Sequence, residues 1–169
     1  TALTIPDIDL RTSALRILVE IQVDAGDVPA ALQSVKSIGD EHQTVLILQH
    51  IATVQIEKGD IAGARSTAAA ISDDYHKAVV FSHLAENQAK HGDIREALIT
   101  ADAIKNPTNR DRALQGIVTA QAAAGRFSDA LKTVSAIRGP KEKAWALQVI
   151  GVGQAEGGKI QDAETTIAT

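Results

Sequence analysis

The chain has 169 residues, 44% hydrophobic and 22% charged, with a formal net charge of −4 and a pI near 5.7. That balance suits a folded chain and not a disordered one, gives no basic face for nucleic acid, and holds no apolar run near the about eighteen residues of a membrane helix. With no cysteine there is no disulfide or thiolate metal site, and with only Tyr75, Phe81, Phe127 and Trp145 as aromatics the core must be made of Ala, Ile, Leu and Val.

Taken in order, the chain spells one unit five times. Asp7 opens a first helix as N-cap, Gly26 ends it, and Asp27 caps a shorter second helix. Asp40, Gly59 and Asp60 repeat this 33 residues on. In the third copy Asp73 starts a helix with the stripe Val80, Phe81, Leu84, Ala85 and Gln88. Gly92 stops it. Asp93 and Glu96 then have capping-box spacing, ahead of a second stripe of Ile94, Ala97, Leu98, Ala101 and Ile104. Asn106-Pro107 and Gly139-Pro140 open the fourth and fifth copies, proline suiting a first helical turn. After Gly125 and Gly158 stand Arg126 and Lys159, which predict weaker caps. Gln22, Gln55, Gln88, Gln121 and Gln154 keep the same step, as do Ala31 to Ala163 and Ile5 to Ile137.

The spacing predicts first helices of about sixteen residues, roughly 24 Å long, and second helices of about eleven or twelve. Short loops make the pairs antiparallel. Neither helix buries its stripe alone, so copies must stack. The fold expected is all-α, an α-α superhelix or solenoid of helix-turn-helix copies over 7–39, 40–72, 73–105, 106–138 and 139–169, as one domain of 1–169. Residues 1–6 read as the remnant of a preceding copy: Thr1 to Ile5 align with Thr67 to Ile71 and with Thr100 to Ile104. The last copy stops one residue before its expected Ile, and no Met is present. A longer array cut at one phase is expected, with Ile160, Ala163 and Ile167 awaiting a neighbour. Such an apolar end predicts end-to-end self-association.

The pattern resembles the tetratricopeptide repeat. The segment Leu147-x-x-Ile150-Gly151-x-x-Gln154, followed by Gly158 and Ala163, carries the likeness, as do Phe81-x-x-Leu84-Ala85-x-x-Gln88, Gly92-Asp93-Ile94 and Ala97. It spans essentially the whole chain, with a 33-residue period and Gln where that family has Tyr. The resemblance implies a right-handed solenoid whose first helices line a concave groove for a protein or peptide. The lining residues it implies are Arg16 and Glu20, Gln49 and Thr53, Ser82 and Glu86, Gln115 and Thr119, and Gln148, with His50 and His83 beside them. The Lys and Asn pairs that clamp a peptide carboxylate in some members are missing. Gly157-Gly158-Lys159 is similar to the loop of the DNA-reading repeats of plant-pathogen effectors, but one copy of five and a negative chain argue against that family.

Other chemistry is sparse. The Gln register could line a polar channel; a residue present in every copy fits a repeated structural task better, so Gln55, Gln88 and Gln121 are expected to be buried and bonded to backbone groups. His50 and His83 share a register, but successive copies about 10 Å apart are too far for two ligands on one ion, so no metal is expected. Asp40-Glu41 and Asp73-Asp74 sit at helix starts, where capping and the helix dipole explain them. No nucleophile elbow, phosphate loop or His-Glu-x-x-His motif occurs. The expected function is a non-catalytic scaffold with no cofactor, binding a partner protein or peptide. The alternative is a structural spacer acting through its ends. An enzyme hidden among the histidines comes third.

Overall fold

The computed structural model describes residues 7–168, so the expected remnant at residues 1–6 lies outside the described residues. Ten helices follow one another, with no strand among the described residues: α1 (Ile8–Asp24), α2 (Val28–Val35), α3 (Glu41–Glu57), α4 (Ile61–Ala69), α5 (Asp74–Lys90), α6 (Ile94–Asp102), α7 (Pro107–Ala123), α8 (Phe127–Ser135), α9 (Pro140–Glu156) and α10 (Ile160–Ile167). The odd-numbered helices are each 17 residues long. The even-numbered ones have only 8 or 9, fewer than the spacing predicts. The isoleucine register explains the difference. Ile38, Ile71, Ile104 and Ile137 are buried just beyond the helix ends. The Ile104 N–H donates to the Ala101 carbonyl at 3.1 Å, closing a last tight turn. The chain then becomes extended to set the next N-cap, as at Asn106 with φ −69 and ψ 118.

The long helices end at the five glycines because each takes a left-handed turn there. Gly92 has φ 90, a conformation that costs an L side chain but not glycine. The Asp93 N–H donates to the Gln88 carbonyl at 2.9 Å and the Gly92 N–H to the Ala89 carbonyl at 3.0 Å, which is a Schellman closure. The same pair of bonds recurs at the other four glycines. The starts follow the caps. Asp7, Asp40, Asp73 and Asn106 accept from the N–H three residues on, at 2.8 to 3.0 Å. Asp27 and Asp60 cap α2 and α4 in the same way. Asp93 makes no side-chain cap bond, so the capping box expected with Glu96 does not form, and Arg126 and Lys159 supply none either.

Gly139 has no side chain to cap α9. Asp111, on α7, instead holds the two residues that lead into the helix. Its carboxylate is buried and accepts from the Gly139 N–H at 2.7 Å and the Arg138 N–H at 3.2 Å. A buried carboxylate is tolerated where such bonds replace water.

The chain falls into two compact units, Thr1–Val80 and Phe81–Thr169, with α5 running across the division. In the first unit α1 packs on α2 and α3, α2 on α3, and α3 on α4. In the second, α6 packs on α7, α7 on α8 and α9, α8 on α9, and α9 on α10. In both, a second helix touches its own first helix and the first helix of the copy that follows. Ala31, Ala64, Ala97 and Ala130 are wholly buried at the crossing points, where a small side chain lets helices approach closely. Ala163 is buried as well, in contrast to the expectation that it awaits a neighbour.

The glutamine register holds the pairs together. Gln55, Gln88 and Gln121 are buried, as the spacing predicts. Their partners differ from the expected backbone groups. Each side-chain oxygen accepts from the threonine hydroxyl twelve residues on: Thr67 at 2.7 Å, Thr100 at 2.8 Å and Thr133 at 2.9 Å. The bond joins a long helix to its short partner inside the core. In the first and last copies the oxygens of Gln22 and Gln154 have no such partner.

Candidate functional site

The residues singled out from sequence lie on the long helices. In the first unit Arg16 and Glu20 pair with each other at 2.6 Å on α1, both side chains 45% exposed, an i,i+4 contact worth little in water. On α3 Gln49 and Thr53 are half-buried and His50 is exposed. The Thr53 hydroxyl donates to the Gln49 carbonyl at 2.9 Å. In the second unit Ser82 is buried and reaches Glu86 at 3.5 Å, so it presents no hydroxyl to a partner. His83 is half-buried. Gln115 donates to the Glu142 carbonyl at 3.2 Å, tying α7 to the first turn of α9. Thr119 and Gln148 are exposed.

The second unit brings four of these together. Glu86, Gln115 and Thr119 line an open groove of about 700 Å³. Thr119 and Gln148 line an adjoining one of about 700 Å³. Trp145 belongs to both. The only tryptophan in the chain is 45% exposed, a large apolar surface left facing water. Two glycines stand in the lining of these grooves. Gly116 lies directly beneath Glu86, where an added Cβ would overlap the Glu86 side chain. Gly153 faces the ring of Phe127, with 3.1 Å left for a Cβ. Lys159 stands over the other part of that ring, 5.1 Å from its centre.

The groove carries more positive than negative charge. Lys90, Arg112 and Arg126 line it, with Glu86 as its acid. Arg112 approaches Glu86 at 3.8 Å and Arg126 approaches Asp129 at 3.3 Å. Trp145, Lys90, Arg112 and Arg126 were not among the site residues singled out from sequence. Trp145 was legible as a lone aromatic three residues before Gln148 on the same helix face. Placing Lys90 and Arg126 required knowing that the end of α5 and the α7–α8 turn border one groove.

In the first unit Asp40, Glu41, His42, Ser72, Asp73 and His76 border a polar depression of about 630 Å³. Most of its acids have structural tasks. Asp40 caps α3, Glu41 accepts from Ser72 at 3.1 Å, and Asp73 caps α5 and touches His76 Nδ1 at 2.6 Å. The His76 backbone N–H, helped by the His76 ring, holds the Asp73 carboxyl below its ordinary range. Among the described residues no group of three His, Cys, Asp or Glu is placed to hold a metal ion. No described helix is long and apolar enough to cross a membrane. No family model matches the chain, and no curated protein sequence matches it.

Proposed function

We propose that this chain is a non-catalytic scaffold, a right-handed solenoid of tetratricopeptide-like helix pairs that holds a segment of a partner protein along its first helices. The observation that carries this reading is the paired groove around Trp145, where Glu86, Gln115, Thr119 and Gln148 converge from three helices. An exposed aromatic amid polar side chains is a typical anchor for a protein partner. The hydroxyls supply no nucleophile: Thr53 and Thr119 both donate to backbone carbonyls, at 2.9 Å each. Lys90, Arg112 and Arg126 favour an acidic segment with one apolar residue to lie against Trp145, and they offer too small a basic surface for nucleic acid.

Selection of peptides from a displayed library against the whole chain tests this. Acidic sequences with an apolar anchor are expected to enrich and to bind Trp145→Ala at least about tenfold more weakly, the scale of a hot-spot loss above 1.4 kcal/mol. Peptides that bind Trp145→Ala and a Gln148→Ala variant as well as the parent remove the groove from the proposal. The spacer reading draws on a separate observation, the apolar residues left open at α1 and α10.

A further inference from the structure

Within each unit a second helix is covered by the first helix that follows it: α2 by α3, α6 by α7 and α8 by α9. The register shows what those covers hide. Val35, Ala101 and Val134 occupy equivalent positions at the ends of α2, α6 and α8 and are at most 3% exposed. Ile167 holds that position in α10 and is 60% exposed. Val28, Ile94 and Phe127 are half-buried, whereas their equivalent Ile160 is exposed. On the receiving side Ile51, Ile117 and Ile150 are wholly buried, while Leu18 in the same register is 38% exposed. Ile21 is exposed, and its equivalent in α9 is Gly153, the residue that faces Phe127.

These open residues are the two halves of one interface, which the chain forms internally where α2 meets α3, α6 meets α7 and α8 meets α9. We propose that copies of this chain stack head to tail, with Ile160 and Ile167 of one copy against Ile21 and Leu18 of the next. Repeating the Phe127–Gly153 contact one copy further along sets Ile160 on Ile21. The register sets this polarity, because the internal contact joins the short helix of one copy to the long helix of the next, as α8 to α9. The contact is heterologous, so copies add one after another, into a ring where the rotation closes and into an open stack where it does not.

Sedimentation of the whole chain over a wide concentration range tests this. The mean mass is expected to rise above 17.8 kDa with concentration. Ile160→Asp alone and Leu18→Asp alone should each stay at one copy. An equimolar mixture of the two should form dimers and nothing larger, because each variant retains the face the other has lost. Circular dichroism verifies that both fold, and Ile21→Asp replaces Leu18→Asp if the latter does not. The proposal is overturned if the parent keeps the mass of one copy at every concentration, as when these faces serve another polypeptide or further repeats. It is equally overturned if either variant still self-associates, or if the mixture does not pair.

Discussion

The oxygen of Gln55 accepts from a buried Thr67 hydroxyl while its amide donates to Asp60 at 2.9 Å, and Asp60 in turn caps α4. Replacing Gln55 by Leu removes both bonds and leaves the hydroxyl buried, a loss of about 1–3 kcal/mol. Gln154→Leu is expected to be neutral or slightly stabilising, because the oxygen it removes has no partner and the replacement is apolar and of similar size. Urea denaturation of the two variants decides the matter: equal losses would show that burial, not the threonine bond, is what the register supplies. The burial of these glutamines was legible because a polar residue recurring on an apolar stripe has a structural task. Their partner was legible too, had the second register been read: Ser34, Thr67, Thr100, Thr133 and Thr166 each follow a Gln by twelve residues. What no spacing showed is that the two registers face each other, since that depends on how a short helix crosses a long one.

At the scale of the helix, the starts of the helices and the stops of the long ones were written in the sequence to within a residue or two, while the short helices end sooner than expected. The left-handed glycines and the Asp and Asn caps act through bonds to residues three to five positions away, and local chemistry suffices to read them. The approach to α9 is the exception, because the Arg138 and Gly139 N–H groups just before it are met by Asp111 from a different helix. Only one sequence signal pointed there, an acid in a register otherwise occupied by Thr12, Val45, Ala78 and Ala144. Asp111→Ala is expected to cost about 1–3 kcal/mol by leaving two backbone donors at the α9 start without their acceptor, and Asp111→Asn should recover part of it. A serine introduced at Gly139 should not stabilise the parent protein, since an added Cβ there overlaps the Glu142 carboxylate and lies 3.2 Å from Asp111. A wild-type melting curve for Asp111→Ala would show the bonds to be incidental.

Across the whole molecule the repeat makes neighbours equivalent, so differences between copies isolate what a neighbour contributes. Neither α8 nor α10 has a side-chain cap, but α9 covers α8. In dilute solution the amides of α10 should exchange with solvent markedly faster than those of α8, as expected where few apolar contacts hold a segment; equal rates would mean that capping alone sets helix stability here. The groove around Trp145 was only partly legible at this scale. Gln115, Thr119 and Gln148 came from the first helices, while the site is completed by charges from the end of α5, from α7 and from the α7–α8 turn, which sequence spacing does not place side by side. Trp145 also has a consequence for how the protein can be watched. Phe81–Thr169 contains the one indole and Thr1–Val80 the one phenol, Tyr75. Excited at the red edge of its absorption, the unlabelled protein therefore emits from a single point inside the groove, and the half that holds Trp145 can be followed through melting or mixing without a label.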